Sequence, residues 1–308
     1  MIGINNPSDM EQNIKTYLNG DFEVSFFNLG SRVIKPINPD KKDGKFEFPN
    51  AIDTCITRYC DNGCSFCYNN STISGKHCDV NLFKEIISTY KGGEIAIGGG
   101  DTFSHPNLTE MLEFCKEKGI FASLTVNQNH LRKHKDQILD YFSKDLMKSI
   151  GISMTDPSTW DEELYLEISK AKKQGVTIHV IAGLLDDSYF KALTGKKILI
   201  LGYKNIGRGE GKIPTGYIEW LKEEWLTILR YKCNPIIFDN LAVDQLSVKE
   251  RFNPEEWGMI YQGDDGNGTM YLDLVEGWFG KSSIVGNDEK LPLTSKNIGE
   301  LYQILQQQ

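Results

Sequence analysis

Four of the seven cysteines fall within fifteen positions, in the stretch TCITRYCDNGCSFCY at residues 54–68. Cys60, Cys64 and Cys67 have the spacing C-x3-C-x2-C, whereas Cys55 lies five positions ahead of the first of them. Thiolates are metal ligands and nucleophiles, so clustered cysteines predict metal binding or redox chemistry where no oxidising compartment is indicated. The remaining cysteines are scattered, at Cys78, Cys115 and Cys233.

Several kinds of metal or redox site could use the cysteines of this loop. A structural zinc site usually needs two Cys or His pairs roughly a dozen residues apart, and only His77 and Cys78 are available for a second pair. A redox pair formed by the last two cysteines leaves the first without a role, and closed ferredoxin clusters need four thiolates at other spacings. An iron–sulfur cluster held by three thiolates would leave one iron open. Cys55 is then a small buried residue, which we expect, or a fourth ligand.

The stretch ITRYCDNGCSFCY resembles the CxxxCxΦC signature of the radical S-adenosylmethionine (SAM) superfamily, including the aromatic Phe66 before the last cysteine. The resemblance implies one [4Fe–4S] cluster held by Cys60, Cys64 and Cys67, with the open iron chelating SAM. It implies reductive cleavage of SAM to a 5′-deoxyadenosyl radical that abstracts hydrogen, and an external one-electron reductant of the flavodoxin or ferredoxin type. Tyr68 is expected to shield the cluster.

A second stretch, EIAIGGGDTFSHPNL, resembles the GGE motif of the same family and its trailing HP. Gly99, Gly100 and Asp101 occupy the GGE positions. Glycines let backbone carbonyls approach the SAM ammonium closely, because no Cβ intervenes. Asp stands where the family has Glu and Thr102 where it has Pro, which leaves the role of the Asp101 side chain open. Taken alone, GGGD is a common turn.

Four positions near later strand ends resemble family positions that contact SAM: Asn127, Ser153, Ile181 and Gly183. Asn127 stands where relatives often show a TNG-like sequence. Ser153 matches a Ser or Thr on the fourth strand that contacts the ribose or carboxylate. Ile181 and Gly183 lie in VIAGLL, which resembles a segment that lies against adenine. Polar strand ends and helix caps are the alternative interpretation.

Two basic stretches have less specific signals. The loop GYKNIGRGEGK at 202–212 carries Lys204 and Arg208 between glycines. Arginine offers a bidentate fork, so we predict a clamp for an anionic substrate group there, with a flexible solvated loop as the alternative. The run HLRKHK at 130–135 is predicted to be a solvated helix face.

The elements that position these residues alternate, from residue 46 onwards, between short apolar strands and amphipathic helices. Runs such as KILILGY suit strands buried on both faces. The repeat predicts parallel strands with right-handed crossovers, and hence an α/β fold of the partial (β/α)6 TIM-like barrel type. Active sites of such folds lie at the carboxyl ends of strands, where GGGD, VNQN, SMTDP, AGLLDD and GYKNIGRG all fall.

Three regions are expected: an N-terminal segment at 1–48, a radical SAM core barrel at 49–214, and an α+β C-terminal extension at 215–308 that covers the barrel. Within the extension, GDDGNG is predicted to be the turn of a β-hairpin. Longer relatives hold auxiliary clusters on extra cysteines. Only Cys233 lies beyond residue 115 here, so one cluster is expected.

Composition and net charge indicate which classes of substrate the protein could bind. The chain has 308 residues, 40% of them hydrophobic and 25% charged, as in ordinary globular proteins. A formal net charge of −8 argues against a nucleic-acid surface. We therefore expect a peptide, protein side chain or small-molecule substrate, with RNA modification as the alternative and a non-enzymatic iron–sulfur electron carrier or sensor as the competing class. No signal peptide or membrane span is predicted, and a cytoplasmic location is expected.

Overall fold

The computed structural model describes residues 13–27, 32–38, 40, 44–172, 175–233, 235–261 and 263–308. Residues 1–12 of the expected N-terminal segment lie outside this description. The strands are β1 (Asn13–Asn19), β2 (Phe22–Phe27), β3 (Arg32–Pro36), β4 (Ala51–Thr57), β5 (Glu94–Gly99), β6 (Phe121–Asn127), β7 (Ser149–Ser153), β8 (Val176–Ile181), β9 (Ile198–Leu201), β10 (Ile236–Phe238), β11 (Thr269–Asp273), β12 (Trp278–Gly280) and β13 (Leu291–Pro292).

The helices are α1 (Val80–Ser88), α2 (Leu108–Glu117), α3 (Gln128–Leu131), α4 (Lys135–Ser143), α5 (Glu162–Ala171), α6 (Tyr189–Leu193), α7 (Thr215–Lys232), α8 (Asn240–Gln245), α9 (Pro254–Ile260) and α10 (Ile298–Leu305). Helix α2 is amphipathic, and Leu108, Met111, Leu112 and Cys115 form its buried face. In the described part of the chain, no helix has the length and apolar character needed to span a bilayer.

Ten strands form one sheet, in the order β10-β9-β8-β7-β6-β5-β4-β11-β12-β13. From β4 to β10, neighbours in the chain are parallel neighbours in the sheet, with one or more helices in most crossovers. This succession confirms the expected α/β fold of the partial TIM-like type. Strands β1 to β3 form a separate antiparallel sheet.

The two faces of the parallel strands differ. On β8, Ile178 and Val180 are buried in the core shared with the helices, whereas His179 and Ile181 on the opposite face are less enclosed. That opposite face, here called the lumen face, carries polar side chains such as Asp53 on β4 and Ser123 on β6. The expectation from KILILGY of strands buried on both faces is met in part, because β9 alternates between buried and half-buried residues.

The hairpin in the extension differs from the prediction. Residues 254–260 form α9, which begins with a capping box between Asn253 and Glu256. GDDGNG then connects α9 to β11, and the hairpin turn lies between β11 and β12, where Gly277 has a φ of +73°. Because β11 pairs in parallel with β4, and β10 with β9, the residues beyond 214 add a strand at each edge of the core.

Candidate active site

The cysteine loop, residues 58–78, leaves the carboxyl end of β4 and folds back on itself. The N–H of Cys60 donates to the carbonyl of Thr72 across the loop, at 2.9 Å. The N–H of Cys67 donates to the carbonyl of Cys64 at 3.3 Å, which closes a smaller turn. These bonds present three half-buried cysteines from a single loop.

The three thiols fit a multi-iron cluster. Burial raises the pKa of Cys60, and burial together with the neighbouring Cys67 raises that of Cys64, so a bound cation would relieve the cost of ionising them. Among the described residues, the ligand atoms that converge within 4.8 Å belong to Cys60, Asp61 and His130 rather than to the three thiols. Wider thiol spacing suits a cluster, because each thiolate then binds a different iron.

The GGGD turn after β5 packs directly on the start of the cysteine loop. The N–H of Gly100 donates to the carbonyl of Thr57 at 2.7 Å, and that of Asp101 to the carbonyl of Tyr59 at 2.6 Å. A Cβ on Gly99 would lie 2.4 Å from the Thr57 oxygen, and one on Gly100 would lie 2.1 Å from the Tyr59 oxygen. The glycines are therefore required for contact between turn and loop, whatever ligand the turn also meets.

The Asp101 side chain is 2% exposed and lies among cationic and hydroxyl groups. It accepts hydrogen bonds from Ser104 Oγ at 2.5 Å, His134 Nε2 at 3.0 Å and Lys133 Nζ at 3.1 Å. Burial alone would raise the pKa of this carboxyl. The hydrogen bonds from His134, Ser104 and Lys133, together with the nearby His130, outweigh burial and hold the pKa well below its usual range. Asp101 is therefore ionised.

The basic run at 130–135 is only in part the solvated helix face that we expected, because Arg132 and Lys133 are exposed but the two histidines are not. His130 and His134 are only 6% and 7% exposed. Nε2 of His130 lies 2.5 Å from Oδ1 of Asp61, and its Nδ1 lies 3.7 Å from Oδ1 of Asp101. The sequence did carry a signal for these contacts. Asp61 in the cysteine motif and Asp101 in the GGGD motif each need a cationic or hydrogen-bond-donating partner nearby.

The predicted strand-end residues meet at one edge of the sheet. Asn127, Ser153 and Ile181 are the last residues of β6, β7 and β8, and Asn127 pairs in register with Ser153. The expectation that motif-bearing stretches follow the carboxyl ends of strands is confirmed. The Asn127 side chain accepts the N–H of Asn129 at 2.9 Å and so caps α3.

A cavity of about 460 Å³ opens beside this edge. Phe66, Thr155, Leu184 and Tyr189 are among its lining residues, so the aromatic residue of the cysteine motif faces the cavity. Gly183 is buried in the turn after β8, where a Cβ would lie 2.1 Å from the Pro214 ring. Its missing side chain is thus explained by packing alone.

The loop at 202–212 contacts the cysteine loop. Nε of Arg208 donates to the carbonyl of Cys64 at 2.8 Å, Nη1 donates to that of Ser71 at 2.9 Å, and the Arg208 N–H donates to the carbonyl of Cys67 at 3.0 Å. Gly207 has a φ of +63°, and a Cβ there would lie 2.5 Å from the carbonyl of Tyr68. The Arg208 guanidinium, which we predicted to bind a substrate anion, therefore already donates hydrogen bonds to backbone carbonyls of the cysteine loop.

Lys204 also has partners within the protein. Its Nζ lies 3.9 Å from the centroid of the Tyr68 ring and donates to Ser283 Oγ at 2.7 Å. Burial raises the pKa of both Asp239 and Asp265, and the Lys204 charge opposes that rise. A lysine that already compensates carboxylates is poorly suited to the predicted anion clamp. It also covers the ring that we expected to shield the cluster.

Cys55 is separate from the other three. It is 1% exposed on β4, and its Sγ donates to the carbonyl of Thr57 at 3.5 Å. Burial raises the pKa of this thiol to about 12. The expectation of a small buried residue is confirmed.

Two titratable residues on the lumen face were not among the predicted site residues. Within the described part of the chain, the side chains of Asp53 on β4 and His179 on β8 form no hydrogen bond, although their main chains pair in the sheet. Asp53 is exposed to the lumen, yet desolvation by the surrounding protein raises its pKa to about 6. Burial lowers the pKa of His179 to about 4, and its ring lies where a Cβ on Gly151 would come within 2.1 Å. The sequence signal for both residues was a titratable side chain in the middle of an apolar strand, in AIDTCIT and in VTIHVI.

This chain is similar to known proteins both in sequence, over part of its length, and in fold. Residues 54–145 match the family model described as the radical SAM superfamily. The structure of Streptococcus suis SuiB bound to precursor peptide SuiA is similar, with a TM-score of 0.59 and 15% identity over 84% of this chain and 65% of that one. SuiB bound to S-adenosylmethionine gives 0.58 and 15%, over 84% and 66%. No curated protein matches the sequence.

The family match covers the three-cysteine loop at the carboxyl edge of the parallel sheet, which is the arrangement expected of a radical SAM enzyme. Residues 54–145 therefore carry a radical SAM domain, and the cofactors of radical SAM enzymes are a [4Fe–4S] cluster and SAM. At 15% identity the likeness to SuiB concerns the fold, and the chain spans just under two thirds of the length of SuiB.

Proposed function

We propose that this chain cleaves SAM reductively and uses the resulting 5′-deoxyadenosyl radical to abstract hydrogen from a peptide, protein side chain or small molecule. The observation that carries the proposal is the set of three half-buried cysteines on one loop, in direct contact with the GGGD turn and beside a cavity. When bound, a [4Fe–4S] cluster supplies the electron for cleavage and the open iron for chelation.

We assign the cluster to Cys60, Cys64 and Cys67. We assign SAM to the edge formed by the GGGD turn and the ends of β6, β7 and β8, in keeping with the family positions that these residues resemble. The ionised Asp101 holds the side chains of Lys133 and His134 behind the turn. The residues proposed to contact SAM are Phe66, Gly99, Gly100, Asp101, Asn127, Ser153, Ile181 and Gly183.

We infer that the substrate enters from the lumen face and the cavity of about 460 Å³. SuiB, a fold relative, has been observed with a precursor peptide, which favours a peptide substrate. The net charge of −8 and the lumen carboxylate of Asp53 count against RNA. A flavodoxin or ferredoxin would serve as reductant in the cytoplasm.

Anaerobic reconstitution followed by reduction with dithionite in the presence of SAM tests the proposal. We expect about four irons per chain and the release of 5′-deoxyadenosine, measured by chromatography. Cys64→Ala should abolish the release, because it removes a cluster ligand. Cys233→Ala changes a buried cysteine far along the chain and should leave the release intact. Bound zinc, or equal loss in both variants, would contradict the assignment.

A further inference from the structure

Asn62 places its side-chain amide against one of the three motif sulfurs. Its Nδ2 lies 2.9 Å from Sγ of Cys64, and its main-chain nitrogen lies 3.5 Å from Sγ of Cys60. One residue inside the C-x3-C spacing therefore donates toward two of the three thiols. A hydrogen bond to a thiolate stabilises the charge on sulfur.

A second asparagine fixes which end of the Asn62 amide faces the sulfur. Nδ2 of Asn129 donates to Oδ1 of Asn62 at 2.8 Å. An amide nitrogen can only donate, so this contact turns the Asn62 oxygen toward Asn129 and the Asn62 nitrogen toward Cys64. The orientation of Asn62 is thus set by its hydrogen-bond partners on both sides.

The position of Asn129 follows from β6 and its cap. Asn127 ends β6, and its side chain accepts the N–H of Asn129 at 2.9 Å, which starts α3. The next residue of α3, His130, contacts Asp61 at 2.5 Å. Two consecutive residues of α3 therefore contact two consecutive residues of the cysteine loop, and the relative position of Asn62 and Asn129 is fixed by more than one bond.

We propose that Asn62 is a positioning residue that raises the reduction potential of the cluster, and that Asn129 holds Asn62 in the required orientation. The inference rests on the proposed function. A reduced cluster carries one more negative charge than an oxidised one, so a donor to its thiolate stabilises the reduced form more and favours uptake of the electron. No bond to iron or carbon changes in this one-electron step.

Potentiometric titration of the reconstituted protein, followed by electron paramagnetic resonance without SAM, tests the proposal. Asn62→Leu keeps the side-chain size and removes the donor. We expect its midpoint potential to become more negative, with the reduction equilibrium weakened about tenfold, which is 59 mV for a one-electron couple. Asn129→Leu should shift the midpoint in the same direction by less. Asn81→Leu, at an exposed position in the first turn of α1, should match the wild type.

The outcomes separate this inference from the proposed function. Wild-type midpoints in Asn62→Leu and Asn129→Leu, with a fully loaded cluster, would overturn the role of Asn62 alone. If Asn62→Leu does not retain iron, Asn129→Leu decides the matter, because it lies outside the cysteine loop and an unshifted midpoint there overturns the proposal. A wild-type protein that takes up no cluster would instead overturn the proposed function.

Discussion

Asp53 is a carboxyl group whose ionisation is controlled by its enclosure. It contacts the open lumen, but the surrounding protein desolvates it and raises its pKa from 3.8 to about 6. A raised carboxyl pKa means that the fold favours the protonated form. The free energy of unfolding therefore falls as the pH rises from about 4 to about 6, and the loss persists at higher pH.

Replacing Asp53 with Asn removes this cost, because the amide stays neutral. At pH 8 we expect the variant to exceed the wild type in free energy of unfolding by about 1 kcal/mol, less than the full linkage value because lumen water screens the charge. The difference should shrink as the pH falls toward 5. Urea denaturation across this range measures it, with Asp288→Asn at an exposed turn as the control. A difference independent of pH would contradict the lumen environment of Asp53.

At the scale of elements, the cysteine loop is contacted by three other parts of the chain. Helix α3 reaches Asp61 and Asn62, and the loop after β9 contributes Arg208. The GGGD turn packs on the residues that precede Cys60. The loop geometry therefore depends on three elements that are distant in sequence.

Arg208→Leu should weaken cluster retention. The guanidinium donates to two carbonyls of the cysteine loop, and bonds from a charged donor contribute about 1.5–3 kcal/mol each. We expect faster loss of iron to a chelator, and incomplete rescue by Arg208→Lys, because lysine lacks the planar fork. Arg251→Leu, which removes an exposed arginine bonded to one carbonyl, is the control. Unchanged iron retention in Arg208→Leu would contradict this stabilising role.

Two glycine substitutions should have opposite effects on thermal stability. Gly100→Ala places a Cβ 2.1 Å from the carbonyl oxygen of Tyr59, so the turn and the loop must separate; we expect a loss of about 3 kcal/mol or more. Gly216→Ala meets nothing within 4 Å in α7 and should stabilise by about 0.5–1 kcal/mol. Melting temperatures measure both, and a tolerated Gly100→Ala would show that the two segments are not in close contact.

At the scale of the whole molecule, the C-terminal extension is linked to the site. Strand β11 pairs with β4, and its buried Asp273 forms an ion pair with Arg58 at the start of the cysteine loop. Lys204 donates to Ser283, also in the extension. The extension is therefore part of the structure that supports the cysteine loop.

The sequence predicted those features that depend on local pattern. The strand–helix alternation and the placement of motifs at strand ends required only periodicity and turn residues. The contacts of His130, Asn129 and Arg208 with the cysteine loop were not predicted, because they depend on which strand ends become neighbours in the folded sheet. The GDDGNG turn was assigned to the wrong connection because the residues before it, 254–260, form helix α9 rather than a strand. The hairpin partner of β11 is the strand that follows it, β12.

The central claim is that three protein thiolates leave one iron open to SAM. Electron–nuclear double resonance on the reduced, reconstituted protein with SAM labelled by nitrogen-15 at its amino group tests it most directly. We expect hyperfine coupling between the label and the cluster, equal in wild type and in Cys55→Ala because Cys55 is not a ligand. A cluster without coupling to the label, or coupling that appears only after Cys55 is removed, would contradict the account.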